Sequence, residues 1–143
     1  MFSPSRDQAR RFFIETWGKF RRSEPLVGLE QTALDVILLH PDYHRLLEQP
    51  DAHLDRDYLP EAGDINPFLH LALHLAVAEQ LAIDQPAGIV ERFERLRRGG
   101  GSEHDALHDI VECLGEVLWQ AQRTGATPDE RLYLECLQQR LPP

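Results

Sequence analysis

Hydrophobic residues recur at helical rather than strand spacing along most of the chain. Between Arg6 and Arg22 the stripe is Ala9, Phe13, Trp17 and Phe20, with Phe12 beside it. That i, i+4, i+8, i+11 spacing predicts an amphipathic helix. Leu29, Ala33, Val36, Ile37 and His40 predict a second helix, which Pro41 interrupts. A short third helix is expected over 42–48, because proline is accepted at a first helical position. Residues 49–66 then break the pattern with Pro50, Pro60, Gly63 and five acids, and read as a long loop of the kind that is often functional. Asn66 as N-cap and Pro67 at the first position open the next helix, which runs to about Ile83. Ile89, Val90, Phe93 and Leu96 mark a helix over 87–98, and Gly99, Gly100 and Gly101 form a hinge after it. Ser102 is placed to cap a long helix over 103–124 that Gly125 stops. Thr127, Pro128 and Glu130 fit a capping box for a last helix that reaches about Leu141. No segment alternates convincingly as a strand. The expectation is an all-α, single-domain helical bundle of six or seven helices over residues 1–143.

Charge changes this picture in one place. The 143 residues carry 24 acidic and 15 basic side chains, a formal net charge of −9, so duplex nucleic acid is an unsuitable partner. Residues 1–22 hold six basic residues against Asp7 and Glu15, a net of +4, which leaves −13 for the remainder. Five of the eleven aromatic residues also fall in this stretch. Arg10, Arg11, Trp17, Arg21 and Arg22 are therefore candidates for a surface that binds a protein partner or a second copy. The plainer reading is a core helix whose arginines pair with the acidic remainder. The apolar stretch 67–83 is too short, and too interrupted by His70, His74 and Glu79, for a membrane span. No apolar leader follows Met1, so a cytoplasmic location is expected. Cys113 and Cys136 lack CxxC spacing and read as two buried thiols in a reducing compartment.

The histidines carry the chemistry. Six of the seven fall in three pairs spaced four apart: His40/His44, His70/His74 and His104/His108, with His53 left over. Residues four apart share a helix face, where two imidazoles can hold one ion. Pro41 splits the first pair. The helix bearing the second is apolar nearly all round, so its histidines should be buried and need partners. On the long helix, His104, His108, Glu112, Gly115 and Trp119 form a border between an apolar and a polar face. The favoured ligand set is His70, His74, His108 and Glu112, with His44, His104 and Glu116 in reserve. Such a set suits zinc, iron or manganese. If no ion is bound, these are hydrogen-bonded core histidines and a polar helix border, and the chain needs no cofactor. The series His44-x3-Glu48, His70-x3-His74 and His104-x4-Asp109 also resembles the ligand spacing of hemerythrin-like di-iron proteins. Here, however, the first helix lacks the histidine that pattern requires. Neither P-loop, dinucleotide-binding fingerprint, nucleophile elbow nor HExxH occurs. Whether the chain is an enzyme stays open at this point.

Several segments together resemble one family: the opening 1–7 with Phe12-Phe13, the run 40–44, the run 66–70 continuing to His74 and Glu79-Gln80, the run 84–89, and 112–114 followed by 119–123. It is the proteobacterial domain-of-unknown-function family 1841. Val27-Gly28 departs from its pattern, where a polar cap followed by proline is expected, and so bears on the start of the second helix. The resemblance implies a small, cytosolic, single-domain bacterial protein. It implies no activity, because the family has none established.

Overall fold

The structure is a computed structural model and describes residues 6–49, 66–99 and 101–142. Almost all of the expected 49–66 loop, His53 within it, and Gly100 of the hinge lie outside the described residues. Among these residues there are seven α-helices and no strand. We number them α1 (Arg6–Arg21), α2 (Leu29–Leu38), α3 (His44–Leu47), α4 (Pro67–Ile83), α5 (Ile89–Arg97), α6 (Glu103–Thr124) and α7 (Glu130–Gln139). A single 3-10 turn, Pro41–Tyr43, precedes α3. The chain divides into two compact units, Met1–Leu75 and Ala76–Pro143, and the division falls inside α4.

The first unit is built on α1, which packs against α2 and α3. The predicted stripe supplies Phe13 and Trp17, which join Ala33, Leu34, Val36, Ile37, Leu47, Phe68, Leu71 and Leu75 in one buried cluster. Each such aliphatic or aromatic side chain contributes about 1.5–3 kcal/mol by leaving water. Phe20, the last residue of the stripe, is exposed. Helix α2 begins at Leu29 without a polar N-cap. Glu30, in the first turn, accepts the Val27 N–H just before the helix at 3.0 Å and pairs with Lys19 at 2.8 Å. The helix ends at Leu38, two residues short of the expected limit. His40 precedes Pro41, and a residue before proline is driven out of the helical region; His40 accordingly sits at φ −125°, ψ 68°.

The second unit packs α5 against both α6 and α7, and α6 against α7. Its local signals are mostly those read from the sequence. Ser102 accepts the Asp105 N–H at 3.0 Å, and the Asp105 carboxylate returns the bond to the Ser102 N–H. Gly125 stops α6 at φ +70°, where a side chain would be strained. In the first unit, Asn66 similarly caps α4 by accepting from the N–H groups of Phe68 and Leu69. The last helix corrects the expectation. Its N-cap is Asp129 rather than Thr127, because the Asp129 carboxylate accepts from both Arg131 and Leu132 and leaves Pro128 outside the helix.

The cysteines supply a larger correction. They are not free thiols: Cys113 on α6 and Cys136 on α7 form a disulfide, with Cα atoms 5.8 Å apart. Cys113 lies on the buried face of α6, and the turn at Gly125 brings α7 back against it. The bond closes a loop of sequence separation 23, which restricts the unfolded chain by about 3 kcal/mol. The double variant C113A/C136A should lose about that much stability, read as a lower urea midpoint, and reduction of the native protein should produce a similar shift.

Candidate metal centre

The break at Pro41 places the first candidate ligand. With α2 ended, the His40 side chain turns back over the helix terminus and is buried. Its Nδ1 lies 2.8 Å from the Val36 carbonyl oxygen. A carbonyl only accepts, so Nδ1 carries the proton and Nε2 of the neutral ring carries the lone pair. That Nε2 is 3.1 Å from Nε2 of His70. His70 and His74 stand one turn apart on α4, as their spacing predicts, with ring centroids 4.7 Å apart. The His40 ring lies 4.9 Å from His70 and 4.5 Å from His74. Three imidazoles of the first unit thus form a nearly equilateral triangle. Tyr43 stacks parallel to His40 at 5.5 Å, and burial raises the pKa of its phenol.

In the second unit, His104 and His108 sit on the first turns of α6 with rings 4.2 Å apart. Burial, then the neighbouring His108, push the His104 pKa below the ordinary imidazole value, while Asp105 opposes them. Each unit thus holds its own histidine cluster: His40, His70 and His74 in the first, His104 and His108 in the second.

The first-unit cluster brings together part of the expected set, His70 and His74. It adds His40, which was missed because its pair was discounted for the intervening Pro41. His108 neighbours His104, one of the reserves, on α6. Glu112 is exposed and accepts from the Arg140 guanidinium, which also reaches Asp109 at 3.2 Å. Glu116 is likewise exposed and accepts from Gln120. His44 bonds the Ile37 carbonyl through Nε2 at 2.9 Å and stacks on Trp17 at 4.3 Å. Glu48 pairs with Arg21 at 3.1 Å. His44, Glu48 and Asp109, three residues of the hemerythrin-like spacing, are thus each engaged in a contact within their own unit.

The basic first helix is largely turned to intramolecular use. Arg10 is only 2% exposed, and its guanidinium lies 5.0 Å from the centre of the Phe68 ring, a cation–π contact. Trp17 is 7% exposed. Arg22 pairs with Glu24. Of the residues expected on a partner surface, Arg11, Arg21 and Arg22 face solvent, whereas Arg10 and Trp17 face inward.

The chain matches the family model described as domain of unknown function (DUF1841) over residues 5–139, and it belongs to that family. Comparison with the curated proteins and with the solved structures finds no match. No helix of the described residues is long and apolar enough to cross a membrane.

The histidine pair of the second unit makes a pH prediction. The unfolded chain takes up the His104 proton near the ordinary value of 6.5, before the folded protein does. The stability contributed by neutral His104 is therefore complete above about pH 6.5 and is lost as the pH falls through the lower folded value. In an NMR titration of metal-free protein, the His104 ring should titrate below a histidine in a denatured reference.

Proposed function

We propose that this helical protein binds one first-row transition-metal ion through His40, His70 and His74 of the first unit. The observation that carries the reading is the close approach of these three imidazoles, whose ring centroids lie 4.5–4.9 Å apart. One further feature supports it. The Nδ1–H of His40 is tied to a main-chain carbonyl, the arrangement that orients a metal-ligating imidazole and leaves Nε2 for the ion. An all-nitrogen donor set suits zinc, copper, nickel or iron better than manganese, calcium or magnesium. A bound ion of this kind would polarise or activate water, or bind a small anion or dioxygen. The reading does not choose among these reactions.

Elemental analysis and titration calorimetry on full-length protein without a histidine tag test the proposal. We expect close to one ion per chain after growth in metal-replete medium. The variants H40Q, H70Q and H74Q should each weaken binding on the order of tenfold or more. E112Q should leave the stoichiometry unchanged, because its carboxylate is engaged by Arg140. Occupancy below about 0.2 ion per chain for the untagged wild type, with no calorimetric binding on adding metal, would overturn the reading.

A further inference from the structure

Tyr43 is the polar neighbour of the three-histidine cluster that ligation leaves unused. It closes the 3-10 turn that follows His40, and its N–H donates to the His40 carbonyl at 3.0 Å. Residues three apart in such a turn stand one above the other, so the phenol ring is carried onto the imidazole. The two rings lie within 4° of parallel, with centroids 5.5 Å apart, and Tyr43 meets His70 edge-on at 6.0 Å. Tyr43 thus flanks two of the three imidazoles. It is half-buried, and no hydrogen bond among the described residues engages its phenol oxygen.

Charge decides what such a centre takes besides the histidines. The Nε2 atoms of His40 and His70 are 3.1 Å apart. Two nitrogens on one ion stand about 2.9–3.4 Å apart for metal–nitrogen bonds of about 2.0–2.1 Å. Ligation uses the lone pair of His40 Nε2 and leaves the His70 proton on Nδ1, so all three donors are neutral. The ion therefore keeps its full double charge. Among the described carboxylates of the first unit, Glu24 pairs with Arg22, Glu30 with Lys19 and Glu48 with Arg21. Asp35 accepts from Gln31 at 3.4 Å, and Asp7, Glu15 and Asp42 are exposed. Three protein donors also fill only three positions, and an ion of the zinc type takes its fourth ligand from outside the protein.

We infer that this fourth position binds a small anion, and that the Tyr43 hydroxyl donates a hydrogen bond to it. The inference rests on the three-histidine reading given above. The uncompensated charge favours an anion over a neutral ligand, and the phenol adds a donor without adding a charge of its own. The phenol ring stands within 6.0 Å of two of the ligand rings, which suits an anion of a few atoms rather than an extended substrate.

The test loads the full-length, untagged chain with cobalt(II) and titrates it with azide, following the visible d–d bands. Y43F and D42N are measured beside the wild type, each checked for helical content by circular dichroism. We expect a saturable change of the wild-type spectrum. Y43F should keep its cobalt(II) affinity and bind azide on the order of tenfold more weakly, the effect of one hydrogen bond to a charged acceptor. D42N should stay within about twofold of wild type in both measurements, because solvent and salt screen an exposed charge. A cobalt(II) protein whose spectrum azide leaves unchanged would overturn the anion site while the three-histidine reading stands. Equal azide affinity in Y43F would remove Tyr43 from the site. Loss of cobalt(II) binding in a folded Y43F or D42N would make that residue the fourth ligand, against the inference. Failure of the wild type to bind cobalt(II) at all would instead refute the three-histidine reading, and the anion site with it.

Discussion

The bond from His40 Nδ1–H to the Val36 carbonyl is the constraint on which the proposed chemistry depends. It exists because α2 stops early: Pro41 withholds an N–H and pushes His40 out of the helical region. The Val36 carbonyl accepts the Leu39 N–H at 3.1 Å, and the imidazole one turn later adds a second donor at 2.8 Å. One local event therefore ends a helix, buries a ring and selects its tautomer. Had α2 continued through His40, the Val36 carbonyl would have taken the His40 N–H, and the imidazole would have pointed along the helix surface toward His44.

Helix limits were legible wherever one residue governs its own neighbourhood. Asn66, Ser102 and Gly125 act within three or four positions of themselves, and each does what its side chain, or lack of one, dictates. The start of α7 was harder, because Thr127 and Asp129 are both competent caps. Asp129 prevails by accepting two main-chain N–H groups. The all-α class followed from spacing alone, since apolar stripes repeated every three or four residues leave no strand face to bury.

The candidate centre was half legible, for a different reason. Spacing of four predicts which two imidazoles share a helix face, and both α4 and α6 obey it. Spacing says nothing of residues that meet across the fold. Glu112 follows His108 at ligand spacing, yet Arg140, 28 positions further on, engages its carboxylate. The disulfide was hidden in the same way, because each cysteine by itself looks like a small apolar residue on a buried stripe. Arg10 looked like a surface charge until Phe68, far along the chain, supplied a ring for it. His40 was the reverse case: the proline that appeared to disqualify it is what turns it inward.

The position of the unit division inside α4 has a consequence for how this fold can be taken apart. Leu75 closes the first compact unit and Ala76 opens the second, yet both belong to one uninterrupted helix. Cutting there would split a 17-residue helix into pieces of about two turns, each below the length at which a helix holds in water. The two halves are thus inseparable as expressed fragments, and any gene rearrangement that shuffles one of them must carry the whole of α4.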